Sequence, residues 1–292
     1  MKYILPFLFF LIFSPNSIRS QGKADTSVIL QASQELGFIN YLINTGQYQD
    51  ATYELNRVKP VGISTDSINY LKGWSYFNQK MLDSSIYYLS KVSPKAFNFN
   101  KSRFYTAYCY SYMDSLKKSR DILNNLPLSE NELIEVREFE LAGLSLMERD
   151  NQNFVNHSKN FTFNYYPISE QEKEFMDSEQ KLINFKPKSI IVAGTLSAII
   201  PGSGKIYAGR LGEGLSSFLM VSILGAVTAE NYCKAGLKDF KTLAFGSLFT
   251  VFYIGNIYGS VFSIQVRRNN FYNAHDKKIL FNLQIPLRTI FN

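Results

Sequence analysis

The stretch PGSGKIYAGRLGEG, residues 201–214, has the ingredients of an anion site: glycines that leave backbone amides accessible, followed by a lysine. A phosphate-binding loop also needs a glycine five residues before its Gly-Lys pair and a Ser or Thr directly after it. The hydroxyl ligates magnesium and the intervening amides cradle the phosphates. Here those two places hold Ile199 and Ile206, so both requirements fail. Other catalytic constellations are scarce. His157 and His275 are the only histidines, and neither has a cysteine or carboxylate at a spacing suited to a shared zinc ion. The acidic run Glu170 to Glu179 reads as a solvated helix face. No catalytic residue, metal site or cofactor is expected.

The alternative for the glycines is a turn at a membrane surface. Pro201 ends an apolar helix, Gly202 and Gly204 permit the chain to reverse, and Lys205, Tyr207 and Arg210, with Gly209 between them, fall at headgroup level. The surrounding composition supports this, because residues 189–204, 214–229 and 242–266 contain no charged side chain. The last run is long enough to cross a bilayer with some tilt, and the middle one spans when extended by Leu211 and Gly212 on one side and by Asn231 to Cys233 on the other. The first covers only about 24 Å as a helix, and either spans in a thinned bilayer or enters and returns. If the polar half is exported, three crossings put Lys205 with Arg210 and Arg267 with Arg268 in the cytoplasm, which the positive-inside tendency favours. Gly255 and Gly259 form a GxxxG, a spacing that lets helices pack backbone to backbone, either closing the hairpin or driving a homo-oligomer.

At the other end, Lys2 precedes the apolar run Ile4 to Phe13, followed by small and polar residues up to Ser20. About ten apolar residues are too few to span, so residues 1–20 read as a secretory signal peptide. The net charge of +7 forms no single stripe and is assigned to membrane flanks; no nucleic-acid partner is expected. Cys109 and Cys233, far apart, make no disulfide framework.

Residues 27–186 are polar and rich in aromatics, and carry a fixed period. Tyr48, Ala51, Leu55 and Val58 recur 34 residues later as Leu82, Ser85, Leu89 and Val92, and again as Leu116, Ser119, Leu123 and Leu126. Gly73 with Tyr76, and Ala107 with Tyr110, supply a small residue and a tyrosine in the preceding helices; the first unit has Ile39 and Leu42 instead. This pattern resembles tetratricopeptide repeats, which are paired helices of that period. The resemblance implies a helical stack whose concave side presents Asn40, Tyr70, Trp74, Lys101, Tyr108 and Tyr112 to a protein or peptide. A looser fourth unit opens at a capping box of Ser129 and Glu132, and a second box of Ser169 and Glu172 opens a helix that caps the stack.

The motif Pro-Gly-x-Gly-x-x-Tyr-x-Gly at 201–209, with FYIGNIYGS at 252–260, resembles the glycine-rich transmembrane hairpin domains of bacterial envelope proteins. That resemblance implies a membrane module at 188–268 and no reaction. In the tail, 269–292, Phe281, Leu283, Ile285 and Leu287 alternate with other residues, a period that predicts a short strand kept to an edge by Pro286. The expected fold class is therefore all-α, a tetratricopeptide-like α-solenoid followed by a helical transmembrane region. The expected role is a non-enzymatic adaptor in the bacterial inner membrane, its repeats outside the cytoplasm, with protein and membrane lipid as partners. The competing reading makes the membrane half the working part of a transport, insertion or lipid-handling assembly.

Overall fold

The computed structural model describes residues 18–58 and 63–291, so the expected signal peptide, save for its last three residues, lies outside the described part. The described residues are all-helical, with no strand among them. Two compact units emerge: Met1–Arg137 with Leu287–Asn292, and Glu138–Pro286.

In the first unit the helices come in pairs: α1 (Ile18–Asn44) with α2 (Tyr48–Arg57), α3 (Thr65–Asn78) with α4 (Leu82–Leu89), and α5 (Phe99–Tyr112) with α6 (Leu116–Asn124). Each packs on the next in chain order. The positions that recur in the sequence recur in the packing: Ala51 and Leu55, Ser85 and Leu89, Ser119 and Leu123 are all buried. Gly73 explains the requirement for a small residue, since a Cβ there would lie 2.6 Å from the Leu89 side chain and 3.0 Å from its backbone nitrogen. The buried Ser85 hydroxyl donates to the Gly73 carbonyl at 2.9 Å, tying α4 to α3.

The turn inside each pair is the same turn. Gly46, Lys80, Asp114 and Arg149 stand 34 or 35 residues apart, and all have positive φ, between 57° and 78°. In each, the amide of that residue bonds the carbonyl three residues back, and the next amide reaches five back, as in Met81 to Tyr76 and Ser115 to Tyr110. This is the Schellman closure, which normally places glycine at the left-handed position. Only the first copy has it. Arg149 belongs to the turn between α7 (Asn131–Glu148) and α8 (Asn151–Ser158), so the backbone repeat extends to a fourth pair.

In the second unit, α8 is fastened to α7 by Glu138, which takes hydrogen bonds from His157 Nδ1 at 2.8 Å and Asn160 Nδ2 at 3.2 Å. The next helix, α9 (Tyr166–Asn184), corrects the capping expectation: it begins three residues before Ser169, with Pro167 in its first turn, where a missing N–H costs nothing. Glu172 is then not on a solvated face. It is buried, and its carboxylate accepts the amide of Phe163 at 2.8 Å, holding the preceding loop.

The apolar half forms α10 (Ile190–Ile199), α11 (Ser203–Tyr207), α12 (Leu211–Ala235) and α13 (Phe240–Phe291). Gly236, at φ 80°, ends α12, and the Asp239 carboxylate accepts the amides of Lys241 and Thr242 to start α13. The strand expected near 281–287 is absent, because α13 runs through it. The large aliphatic side chains buried there, Ile279, Leu283 and Leu287, stand four apart as on a helix face, while Phe281 points outward. The segment 269–286 is no free tail either. Phe271 stacks on Phe185 at 3.6 Å, Arg149 pairs with Asp276 at 2.7 Å, Lys278 pairs with Glu174, and Leu283 fills the space left by Gly143.

Candidate functional site

The glycine turn is the most tightly determined polar site in the apolar half. Ser189 caps α10, its hydroxyl accepting the Val192 amide, and the helix runs antiparallel to α13: Gly194 lies against Val261, Ser197 Oγ is 2.6 Å from Ser260 Oγ, and the Tyr253 hydroxyl donates to the Ala198 carbonyl. The chain then reverses at Pro201 and Gly202, the latter at φ 84°, a conformation that favours glycine. Asn256 holds the reversal from both sides. Its Oδ1 accepts the Gly202 amide at 2.9 Å and its Nδ2 donates to the Ser197 carbonyl at 3.1 Å.

After the reversal α11 packs back on α10. Gly204 makes this possible, since a Cβ there would lie 2.0 Å from the Ala193 carbonyl oxygen, and its amide donates to Ser197 Oγ at 2.9 Å. Ala193, Ala208 and Ile264 close the base of this small hairpin, with Ile190 and Tyr207 around them. A Cβ on Gly202 would likewise meet the Gly214 carbonyl oxygen at 2.0 Å, which joins the reversal to α12. The run 189–204, expected either to span as a third crossing or to enter and return, forms a short helix followed by a reversal. As a helix, the ten residues of α10 rise only about 15 Å against a bilayer core of about 30 Å, and the chain doubles back instead of continuing. Among the described residues two helices, α12 and α13, are long and apolar enough to cross a membrane.

These contacts also bear on the anion-site reading. The amides of Gly202 and Gly204 are bonded to side chains of this chain, and those of Lys205 and Ile206 to the Gly202 carbonyl, so they are not presented to a phosphate. The flanking cations are used locally. Lys188 donates to the Tyr207 carbonyl and lies over its ring, Arg210 pairs with Glu213 at 3.0 Å, and Arg267 donates to the Ala208 carbonyl at 2.9 Å beside Gly209, whose φ is 89°. Lys205 extends past Gly259 to donate to Ser217 Oγ at 2.7 Å. Gly259 thus makes room for a lysine stem, and a Cβ on Gly255 would meet nothing within 4 Å, so within the chain this pair brings no two helix backbones together.

The six residues expected on the concave side divide. Asn40 and Tyr112 are exposed, Tyr112 by 57%. Tyr70 and Tyr108 are buried, Tyr108 against Phe77. Trp74 is wedged between Phe77 and Tyr105 with one face under Lys101, whose ammonium lies 4.8 Å from the indole and 5.4 Å from the Tyr70 ring. Lys101 in turn donates to the Phe291 carbonyl, and the Phe291 ring packs 5.6 Å from that of Phe104. The end of the chain therefore covers this part of the surface, which sequence reading had no means to anticipate. Burial holds the Lys101 ammonium below the usual lysine range and pushes the Cys109 thiol up to about 12.

Among the described residues no group of three or more His, Cys, Asp or Glu side chains is placed to hold a metal ion. One buried carboxyl stands out. Glu140 on α7 has both oxygens buried without a hydrogen-bond partner, and burial raises its pKa well above the ordinary glutamate value.

Sequence reasoning missed Ser197, Asn256 and Ser260, which lie in uncharged runs and are buried. The available signal was their polarity: an amide side chain in an otherwise apolar helix calls for a specific partner. Comparison with known proteins adds little to this geometry. A segment of 50 residues is 44% identical to part of the uncharacterised protein MJ1516 of Methanocaldococcus jannaschii, and covers 15% of this chain and 50% of that protein. No protein-family profile and no solved structure matches the chain.

Proposed function

We propose that the chain is a membrane-anchored adaptor, in which α12 and α13 cross the bilayer, α10 and α11 dip into it and return, and the paired helices recruit a protein partner without catalysis. The carrying observation is the exposure of apolar surface. Only 11% of the apolar window of α12 and 22% of that of α13 is buried within the chain, whereas the core helix of a water-soluble domain is mostly covered. Leu219, Ile223, Val251 and Phe262 are exposed among the described residues. A hydrocarbon phase is the environment that this surface fits.

Two crossings leave the polar helices and the end of α13 on one face of the membrane and residues 236–239 on the other. Export directed by residues 1–20 assigns the first face to the outside of a bacterial inner membrane. The basic residues Lys186, Lys188, Arg210, Arg267 and Arg268 on that face pull the other way under the positive-inside tendency.

The recruiting surface is read from the tetratricopeptide-like pairing and from exposed aromatics. Asn40 and Tyr112, unlike Tyr70 and Tyr108, can be altered without opening the packed interior. The test is chemical cross-linking of the full-length protein in membranes, followed by identification of the attached chain, for wild type and for Asn40→Ala with Tyr112→Ala. The adaptor reading expects one partner, lost in the double variant at unchanged protein level. Unchanged capture rejects this surface.

A further inference from the structure

We infer that the groove between α12 and α13 beside Lys205 binds an anionic phospholipid, with Lys205 and Ser217 on its phosphodiester and one acyl chain along the apolar wall. The inference rests on the membrane reading above and assigns a ligand to it. The groove has a volume of about 460 Å³ and is lined by Lys205, Ser217, Met220, Val251, Phe252 and Gly255 among others. That is within the range of roughly 300–1,000 Å³ usual for small-ligand sites.

Its chemistry is asymmetric. One wall carries an ammonium and a hydroxyl, and the remainder is hydrocarbon. The other cations around the turn are already engaged: Arg210 has Glu213, while Lys188 and Arg267 are bonded to carbonyls. Lys205 has only the neutral Ser217 Oγ as acceptor, and no carboxylate pairs with it among the described residues. Because the lysine donates to that oxygen, the serine hydroxyl keeps its own proton to donate, so the two side chains offer donors side by side. A positive charge facing an apolar groove in a bilayer is costly unless an anion accompanies it. Ser217 lies six residues into α12, about 9 Å along the helix from its start, a depth that a lysine bridges toward the headgroups by extending its stem.

The wall beyond the charge is suited to a chain. Gly255 leaves open space where any other residue would place a Cβ, in the groove that Met220, Val251 and Phe252 also line. A nucleotide or free phosphate has no use for this hydrocarbon face, and the turn amides that would serve either are bonded within the chain. The complementary molecule has one negative phosphate and a long apolar body.

The test uses the full-length protein in nanodiscs of phosphatidylcholine doped with phosphatidylglycerol, with retained lipids counted by native mass spectrometry. Wild type is expected to hold one phosphatidylglycerol in clear preference to phosphatidylcholine. Lys205→Gln is expected to reduce that preference at least tenfold, and Gly255→Leu, which fills the groove and keeps the charge, to reduce retention of the bound lipid. Helix content by circular dichroism shows that each variant folds. Equal retention of the two lipids by wild type overturns the inference, as does undiminished preference in Lys205→Gln, or displacement of the lipid by millimolar inorganic phosphate. Flotation of the full-length chain with liposomes separates the two levels of the reading: a chain that does not float defeats the membrane reading and this site together, whereas a floating chain without lipid preference defeats the site alone.

Discussion

Replacing Gly202 by alanine probes the reversal at its tightest point. Two costs are set by the structure. The φ of 84° lies in the left-handed region, where a residue with a Cβ costs about 1–2 kcal/mol more than glycine. The added Cβ would also sit 2.0 Å from the Gly214 carbonyl oxygen, which is backbone and cannot rotate away, so α12 and the turn must separate by more than an ångström. Overpacking of that kind costs roughly 1–3 kcal/mol, and the Asn256 bond to the Gly202 amide is stretched as well. A total of about 2–5 kcal/mol follows from these two terms. Gly204→Ala lacks the φ cost but meets the Ala193 carbonyl oxygen at 2.0 Å, and is placed at about 1–3 kcal/mol. Gly255→Ala is the control: nothing lies within 4 Å of its Cβ, and in a helix alanine is favoured over glycine by up to about 1 kcal/mol. The assay is unfolding of the full-length protein in bicelles, followed by loss of helical circular dichroism on titration with a denaturing detergent. The expected order of stability is Gly255→Ala, at or above wild type, then Gly204→Ala, then Gly202→Ala. If Gly202→Ala unfolds together with wild type, the reversal described for residues 200–204 is wrong.

Three further outcomes follow from other parts of the chain. Glu140→Gln is expected to stabilise the protein at neutral pH. A buried carboxyl whose folded pKa is raised contributes stability that is full below the ordinary glutamate value and is lost as pH rises toward the folded value, so wild type weakens with rising pH more than the variant does, as thermal melts at several pH values will show. Lys80→Gly and Asp114→Gly relieve left-handed strain at repeated turns, and each is expected to raise stability by up to about 1 kcal/mol, measured as a shifted melting temperature; a loss at both sites contradicts the shared turn. Truncation after Leu287 removes Phe291 from Lys101 and Phe104, and is expected to make the single tryptophan, Trp74, more accessible to acrylamide quenching; unchanged quenching means that the chain end does not cover that surface.

The repeat was legible in the sequence because identical packing demands recur at a fixed spacing. Leu55, Leu89 and Leu123 each fill one seam, and Gly73 and Ala107 each stand where a larger side chain would push the helices apart. The phase of the repeat was legible too, although Lys80, Asp114 and Arg149 hide a turn that glycine announces only at Gly46. What was not legible depends on distant partners. The alternation at 281–287 looks like a strand until Gly143 and Phe175 supply a surface on which Leu283 is buried in a helix. The Ser169 and Glu172 pair has the spacing of a cap, but Pro167 starts the helix earlier and Glu172 is drawn inward by the Phe163 amide. Charge arithmetic favoured a third crossing because it counts Lys205 and Arg210 as following a span, whereas Asn256, 54 residues beyond Gly202, holds the chain in a reversal that no local pattern signals. The candidate site was therefore half visible: its glycines and lysine stood out, and the polar side chains of α13 that organise them did not.

The central claim is that this chain crosses a membrane twice, with the α10–α11 segment returning to the face it entered from. Labelling of single cysteines in intact cells by a membrane-impermeant maleimide tests it most directly. In a background with Cys109→Ala and Cys233→Ser, a cysteine is placed in turn at Tyr112, Lys238 and Asn273, all exposed. Two crossings predict that positions 112 and 273 label alike and position 238 oppositely. Opposite labelling at 112 and 273 means an odd number of crossings and contradicts the account; identical labelling at all three places the chain on one side of the membrane and removes its basis.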